Sequence, residues 1–181
     1  MFPRPLPLVI LSVLLCACVP TGPVQQPVRQ PAPGPGVVER TLRAAAGGAE
    51  IPADLVVRYS DMHGMHGGTT ISLTAHGTVQ SRTVDPRTGS SERRGTIPPD
   101  SVRAVIQLLV ELAAWEQRTP PRPPVPDESA AGLTIRAGGE EVRIWEWYND
   151  MATNARLVRV LGRLRSFATD DSHAPPRPPP G

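Results

Sequence analysis

Residues 133–147 have the sequence LTIRAGGEEVRIWEW, in which apolar and polar side chains alternate on both sides of a glycine pair. Two apolar residues alternate with polar ones before Gly138 and Gly139, and Val142 and Ile144 do so after the pair. A period of two is typical of a strand with one buried face, and a glycine pair between two such runs indicates a tight turn. The stretch therefore predicts a β-hairpin and, with it, an antiparallel sheet.

Two further runs of alternating side chains occur upstream, in residues 55–60 and 71–76. The His-Gly dipeptide at 76–77 indicates a turn into a third run, residues 78–84, so the second and third runs are predicted to form another hairpin. A short strand over residues 92–97, after the turn at 85–89, is optional in this pattern. Three or four strands are therefore expected before the first helix.

The strongest helical pattern follows Pro98. Pro99 suits the first turn of a helix, and Asp100 is favoured at the positive end of the helix dipole. Apolar side chains recur at spacings of three and four over residues 102–113, which predicts one buried stripe. The helix is expected to end near Gln117, because the next ten residues contain five prolines.

A second helix is predicted near the C-terminus, with Asp150 or Thr153 as its cap. It has an apolar stripe and a charged stripe at helical spacing. The apolar stripe consists of Leu157, Leu161, Leu164 and Ala168, and the charged stripe consists of Arg156, Arg159 and Arg163. We interpret the charged stripe as a solvated face.

The predicted element order is β-β-β-(β)-α-β-β-α, in which hairpins outnumber βαβ crossovers. This order predicts an α+β two-layer sandwich, with a mostly antiparallel sheet of four or five strands and two helices on one face. One face of the sheet is then left without helices. We assign this single domain to residues 50–169.

The composition sets the limits of that domain. The chain has 181 residues and 23 prolines, of which nine lie in residues 1–36 and five in residues 175–181. Proline-rich segments of this kind cannot bury an apolar core. We therefore interpret residues 18–49 as a tether and residues 170–181 as a disordered tail.

The charge balance excludes several functions. The chain has 19 arginines and no lysine against 17 acidic residues, a formal charge of +2, and residues 50–170 carry a charge of −1. The domain therefore lacks the basic footprint of a nucleic-acid-binding protein. Without lysine, Schiff-base catalysis and a P-loop are also excluded.

The N-terminus has the pattern of an export signal. Arg4 precedes an apolar run over residues 6–15, which is too short to span a bilayer. The following tetrapeptide, Leu15-Cys16-Ala17-Cys18, resembles the cleavage site of bacterial lipoprotein signal peptides, although a cysteine is unusual at the position of Cys16.

The resemblance implies that residues 1–17 are removed and that Cys18 becomes the lipidated first residue, which anchors the protein to a membrane of the cell envelope. By the same resemblance, Val19 favours the outer membrane. The alternative is an ordinary secretory signal that leaves Cys18 as a free thiol. In the lipoprotein case no cysteine remains for a disulfide, so the domain must be stabilised by packing.

The sheet face without helices is a candidate binding surface. If the aliphatic residues of the strands point toward the helices, the period of two places a set of arginines and tryptophans on the other face. This set is Arg58, Arg136, Arg143, Trp145 and Trp147. Tryptophan and arginine often dominate recognition, so we expect a protein or glycan partner. The alternative is that both tryptophans lie beneath the proline-rich loop 118–127.

A methionine-histidine repeat is a second candidate site. Met62, His63, Met65 and His66 lie in a glycine-containing loop, and thioether and imidazole ligands suit copper. The alternative is a mobile turn whose methionines cover the core.

Signals for catalysis are weak. His63 and His66 lack the glutamate of a zinc-protease motif, and no G-x-S-x-G segment accompanies the glycines at 67–68. We therefore expect a protein that is not an enzyme and has no cofactor. The order of hairpins and helices, with a glycine pair after the first strand, resembles small bacterial inhibitors of the emfourin type. That resemblance implies inhibition of thermolysin-like proteases and identifies no inhibitory residue.

Overall fold

The computed structural model describes residues 36–63, 65–120, 122–123, 125 and 128–169. The predicted signal peptide, the proline-rich part of the tether and the C-terminal tail lie outside these residues. The described chain is an α+β domain of six strands, three α-helices and one short 3-10 helix. The strands are β1 (Val56–Ser60), β2 (Gly68–Thr74), β3 (Thr78–Asp85), β4 (Gly89–Thr96), β5 (Ala130–Ala137) and β6 (Glu140–Trp147). The α-helices are α1 (Val37–Ala46), α2 (Pro99–Glu111) and α3 (Ala155–Thr169), and the 3-10 helix is Tyr148–Thr153.

The six strands form one antiparallel sheet in the order β4-β3-β2-β1-β5-β6. The predicted antiparallel sheet is confirmed, but its six strands exceed the predicted four or five, because the strand that the predicted order left optional, β4, is present. Strand β4 is a full strand of eight residues that pairs with β3 along its length. Its side chains are almost all exposed, so no apolar alternation marks it in the sequence. Backbone pairing with β3 defines this strand.

The core lies between the helices and one face of the sheet. The strand residues on this face are buried, including Val57, Leu73 and Leu133, as are Ile106 of α2 and Leu164 of α3. Helix α1 contacts β5 and β6, whereas α3 contacts β2, β3 and β4. The other face of the sheet is exposed or half-buried and carries no helix of the described residues.

Helix α1 corrects the predicted start of the domain. Residues 37–49 are not simply tether, because Val38, Leu42 and Ala45 are buried in the main core. Arg103 of α2 donates hydrogen bonds to the carbonyl oxygens of Ala45 and Ala49, which satisfies groups at the end of α1. The domain therefore includes a third helix that the sequence interpretation missed.

The other two helices differ from the prediction at their ends. Helix α2 ends at Glu111, before the predicted Gln117, because Ala113 adopts a left-handed conformation with φ of 44°. The amide of Ala114 donates to Leu109 O and that of Ala113 to Val110 O, which is a Schellman ending. Asn154 caps α3 in place of the predicted Asp150 or Thr153, since its Oδ1 accepts from the amide of Leu157 at 3.1 Å.

Candidate functional site

The face of the sheet without helices, called the open face below, carries the five predicted binding residues. Cross-strand pairing places Arg58 beside Thr134, and Thr134 beside Arg143. Arg136 lies two residues along β5 from Thr134, and Trp145 and Trp147 follow Arg143 at the same period of two. All five side chains therefore project from one face, as their alternation along the strands predicts.

One row of this face crosses all six strands. In strand order from β4 to β6, the paired residues are Arg94, Gln80, Ser72, Arg58, Thr134 and Arg143. Three arginines are thus separated by side chains that can donate or accept hydrogen bonds. Arg94 was missed in the sequence analysis, because β4 has no hydrophobic pattern from which its facing could be read.

The neighbouring row contains the exposed tryptophan. In the same strand order it consists of Glu92, Arg82, Thr70, Ser60, Gly132 and Trp145. The hydroxyl oxygens of Ser60 and Thr70 are 3.2 Å apart and share a hydrogen bond. Gly132 has no side chain, so the sheet surface beside the indole is flat.

The arginines differ in their ion pairs. Arg136 and Arg143 both form ion pairs with Glu141, at 3.0 and 2.8 Å. Their hydrogen bonds, that of Arg143 first and that of Arg136 second, hold the pKa of Glu141 below its usual value. Within the described part of the chain, Arg58 and Arg94 form no ion pair and no side-chain hydrogen bond. These two guanidinium groups are therefore available to a ligand without breaking an existing contact.

A shallow polar groove of about 500 Å³ crosses the β1–β4 half of the open face. Arg58, Ser72, Gln80 and Arg94 of the first row line it together with Thr70 and Arg82 of the second. Arg82 forms a long ion pair of 3.5 Å with the exposed Glu92. The groove is therefore positively charged and rich in hydrogen-bonding groups.

Trp145 lies at the edge of the open face, with 37% of its surface exposed. Its backbone amide donates to Gln117 Oε1 and its carbonyl accepts from Gln117 Nε2, each at 2.9 Å. Its ring contacts that of Trp147 edge-to-face, with centroids 5.3 Å apart. The indole is thus held in one orientation while part of its surface stays accessible.

Trp147 is half-buried and is covered by the proline-rich loop. The guanidinium of Arg122 lies over its ring at 4.6 Å, and Arg122 is itself held by Glu128 at 2.7 Å and Asp150 at 3.1 Å. The two predicted alternatives were an exposed binding surface and burial beneath the loop, and each of them describes one of the two tryptophans. Trp147 packs beneath the loop, and Trp145 remains accessible at the surface. Nothing in the sequence pattern singled out Arg122 as the covering residue.

The methionine-histidine loop lies at one end of the sheet. The rings of His63 and His66 are close, with centroids 4.6 Å apart, whereas Met62 is 40% and Met65 67% exposed. The alternative interpretation, in which the methionines cover the core, therefore does not hold for these exposed side chains. Among the described residues, no group of three or more His, Cys, Asp and Glu side chains is placed to hold a metal ion.

Both histidines line a cleft of about 420 Å³, and Asp61, Glu128 and Tyr148 also line it. Asp61 is buried, where it accepts from the Tyr59 hydroxyl at 3.1 Å and from the Thr69 amide at 2.5 Å.

Burial and the neighbouring Asp61 carboxylate raise the pKa of Tyr59. Arg122 Nη2 donates to both carboxylate oxygens of Glu128, each at 2.7 Å. The two carboxylates of this cleft therefore have structural partners.

No protein-family model matches this chain, and no curated protein matches it in sequence. No helix in the described part of the chain is both long enough and apolar enough to cross a bilayer.

Proposed function

We propose that this chain is a lipoprotein of a bacterial cell envelope whose domain binds an envelope macromolecule through the open face. The observation that carries the proposal is the combination of accessible Trp145 with Arg58 and Arg94, which form no ion pair with any described residue, on a sheet surface that no described helix covers. Tryptophan and arginine offer large contact areas with few rotamers to immobilise. The domain acts in this proposal by binding, without catalysis and without a cofactor.

The anchor part of the proposal rests on the sequence at the N-terminus. Cys18 would carry the lipid after removal of residues 1–17, and the proline-rich residues 19–36 would hold the domain away from the membrane. In an extended polyproline conformation, these 18 residues span about 55 Å. This reach would let the domain contact material beyond the lipid headgroups of the outer membrane.

Mass spectrometry of the mature protein from a bacterial envelope tests the anchor. We expect an N-terminal peptide that begins at Cys18 and carries a diacylglyceryl group and an amide-linked fatty acid. Cys18→Ser is expected to abolish the modification and release the protein from the membrane fraction, whereas Cys16→Ser is expected to retain both. An unmodified Cys18 thiol in the mature protein would contradict the proposal.

The docking part is tested by retention on envelope material. We expect the full chain to bind envelope extract, and Trp145→Ala and Arg58→Gln to bind about 10-fold more weakly or worse, since each removes an interaction worth more than about 1 kcal/mol. Arg159→Gln on α3 is the matched control, because it removes the same charge from the opposite layer. Equal retention of all variants would rule out the open face as the binding surface.

A second candidate is copper binding at Met62, His63, Met65 and His66. The observation that favours it is the 4.6 Å separation of the two imidazole rings in a loop with two exposed methionines. Titration of the full chain with Cu(I) under reducing conditions tests it. One bound ion that is lost in the double variant His63→Ala, His66→Ala supports the candidate, and the absence of binding excludes it.

A further inference from the structure

We infer that the partner of the open face is an acidic polysaccharide, a chain of sugar rings that carries carboxylate or phosphate groups. This inference rests on the proposed function and specifies the chemistry of the partner. Three properties of the open face support it: its net positive charge, the spacing of its arginines across the strands, and the residues that surround Trp145.

The open face concentrates positive charge that the domain as a whole does not have. Its strand positions include five arginines and two glutamates, a formal charge of +3, whereas residues 50–170 together carry −1. The five arginines are Arg58, Arg82, Arg94, Arg136 and Arg143, and the glutamates are Glu92 and Glu141. An anionic partner is therefore attracted to this face, as it is to helix α3, which carries four arginines and no acidic residue.

The arginines of the first row suit a repeating partner. Arg94 and Arg58 are three strands apart and Arg58 and Arg143 are two strands apart, which corresponds to about 14 and 10 Å at the usual strand spacing. Between them lie hydroxyl and amide side chains. A polymer that runs across the strands would place anionic groups at the arginines and hydroxyl groups at the polar side chains between them.

Trp145 supplies a surface on which a sugar ring can stack. Gln117 holds its backbone and Trp147 contacts its ring, so little freedom is lost when a ligand binds. The flat position of Gly132 lies beside it, followed by the paired hydroxyls of Ser60 and Thr70. An indole next to hydroxyl groups matches a pyranose, which has an apolar C–H face and a polar rim.

The same surface is poorly suited to a protein partner. The buried centre of a protein–protein interface is mostly apolar. The centre of the open face instead contains Arg58, Ser72, Thr70 and Gln80, and its aliphatic side chains at strand positions are the half-buried Val56 and Val84 and the exposed Ala130. A hydrated, hydroxyl-rich polymer can bind such a surface through hydrogen bonds and water without needing an apolar centre.

The test is calorimetric titration of the full chain, in detergent micelles, with four defined probes. An oligogalacturonate supplies carboxylates on sugar rings, and a ribitol-phosphate oligomer supplies phosphates without rings. A dextran oligomer supplies rings without charge, and a polyglutamate peptide supplies carboxylates without rings.

We expect the oligogalacturonate to bind, with an affinity that falls as salt is raised. The dextran oligomer and the polyglutamate peptide are each expected to bind at least about 10-fold more weakly, because each lacks one of the two recognised features.

The ribitol-phosphate oligomer is also expected to bind at least about 10-fold more weakly than the oligogalacturonate, because it has the charge and the hydroxyl groups but no ring to stack on Trp145. Single-stranded DNA of similar charge is the control for general polyanion binding. Binding of DNA, polyglutamate or the ribitol-phosphate oligomer as tight as that of the oligogalacturonate would overturn the inference, as would the failure of the oligogalacturonate to bind.

The variants locate the effect on the open face. The double variant Arg58→Gln, Arg94→Gln is expected to lose about 100-fold in affinity for the bound glycan, from about 10-fold for each charge-assisted contact. Trp145→Phe is expected to retain most of the affinity that Trp145→Ala loses. The double variant Arg87→Gln, Arg159→Gln removes the same charge elsewhere and is expected to bind as the unmodified chain does, and an equal loss in this control would overturn the inference.

Failure of this inference can be separated from failure of the proposed function. Envelope extract that still binds the open face after periodate oxidation of its glycans, and no longer binds after proteinase digestion, would overturn the glycan and identify a protein partner. Extract that binds all open-face variants equally would overturn the proposed function itself.

Discussion

The side-chain amide of Gln117 forms both hydrogen bonds that a neighbouring strand would form with Trp145. Its Oε1 accepts from the Trp145 amide and its Nε2 donates to the Trp145 carbonyl, each at 2.9 Å. Trp145 lies on the edge strand β6, where unpaired backbone groups invite pairing with other chains. Gln117 therefore protects the sheet edge and fixes the backbone of the accessible tryptophan.

Gln117→Leu tests this relationship. We expect hydrogen exchange at the Trp145 amide to accelerate and the free energy of unfolding to fall by about 1 kcal/mol, since the lost bonds are partly replaced by water. Gln107→Leu, at an exposed position of α2, is the matched control and should change stability by less than about 0.5 kcal/mol. An unchanged exchange rate at Trp145 would show that the side chain does not pair with the strand in solution.

Asp54 is predicted to make stability dependent on pH. Its carboxylate accepts from the amides of Gly139 at 2.7 Å and Gly138 at 3.1 Å, in the turn between β5 and β6. The Gly139 hydrogen bond is the main reason that the pKa of Asp54 lies below its usual value, while partial desolvation acts in the opposite direction.

A carboxyl group with a lowered pKa in the folded state stabilises the fold above its unfolded-state pKa, and this contribution disappears as the pH falls through the folded-state pKa. We therefore expect Asp54→Ala to lower the unfolding free energy at pH 7, by about 1 kcal/mol, and to have less effect below about pH 3. Urea denaturation at both pH values measures the difference. Glu50→Ala is the control, and the same loss for Asp54→Ala at both pH values would exclude the linkage.

Replacement of Gly67, in the loop that contains the two histidines, is predicted to lower the stability of the fold. Its φ is +75°, and a Cβ added there would lie 1.9 Å from Val84 O. Gly89 also has a positive φ, +92°, but a Cβ at Gly89 would meet no atom within 4 Å. Gly67→Ala should therefore destabilise the fold by about 1–3 kcal/mol more than Gly89→Ala, because only Gly67→Ala adds a steric clash. Equal melting temperatures of the two variants would argue against the close approach of Gly67 to β3.

Helix α1 is predicted to be an integral part of the domain. Leu42 is fully buried in the core, so Leu42→Ala should lower the unfolding free energy by about 2–5 kcal/mol. Val158→Ala on α3 removes an aliphatic side chain that is 43% exposed and should cost less than about 0.5 kcal/mol. Chemical denaturation of both variants measures the two values. A small effect of Leu42→Ala would mean that α1 does not dock in solution.

Part of the candidate site could be predicted from the sequence. Alternation along β5 and β6 placed Arg136, Arg143 and Trp145 on one face, because the direction of a side chain in a strand depends only on its parity. Arg82 and Arg94 could not be assigned in this way. Their strands lack a continuous apolar face, and only hydrogen-bonded pairing defines which way their side chains point.

The amino-acid sequence alone determined the local features: the hairpins, the central helix and the class of fold. These features follow from periods of two and of about 3.6 residues, which short segments display without reference to the rest of the chain. The tertiary structure alone decided that α1 joins the core, that Arg94, Arg58 and Arg143 share one row, and that Gln117 pairs with Trp145. Each of these depends on contacts between residues distant in sequence, whose register is set by the packing of the whole domain.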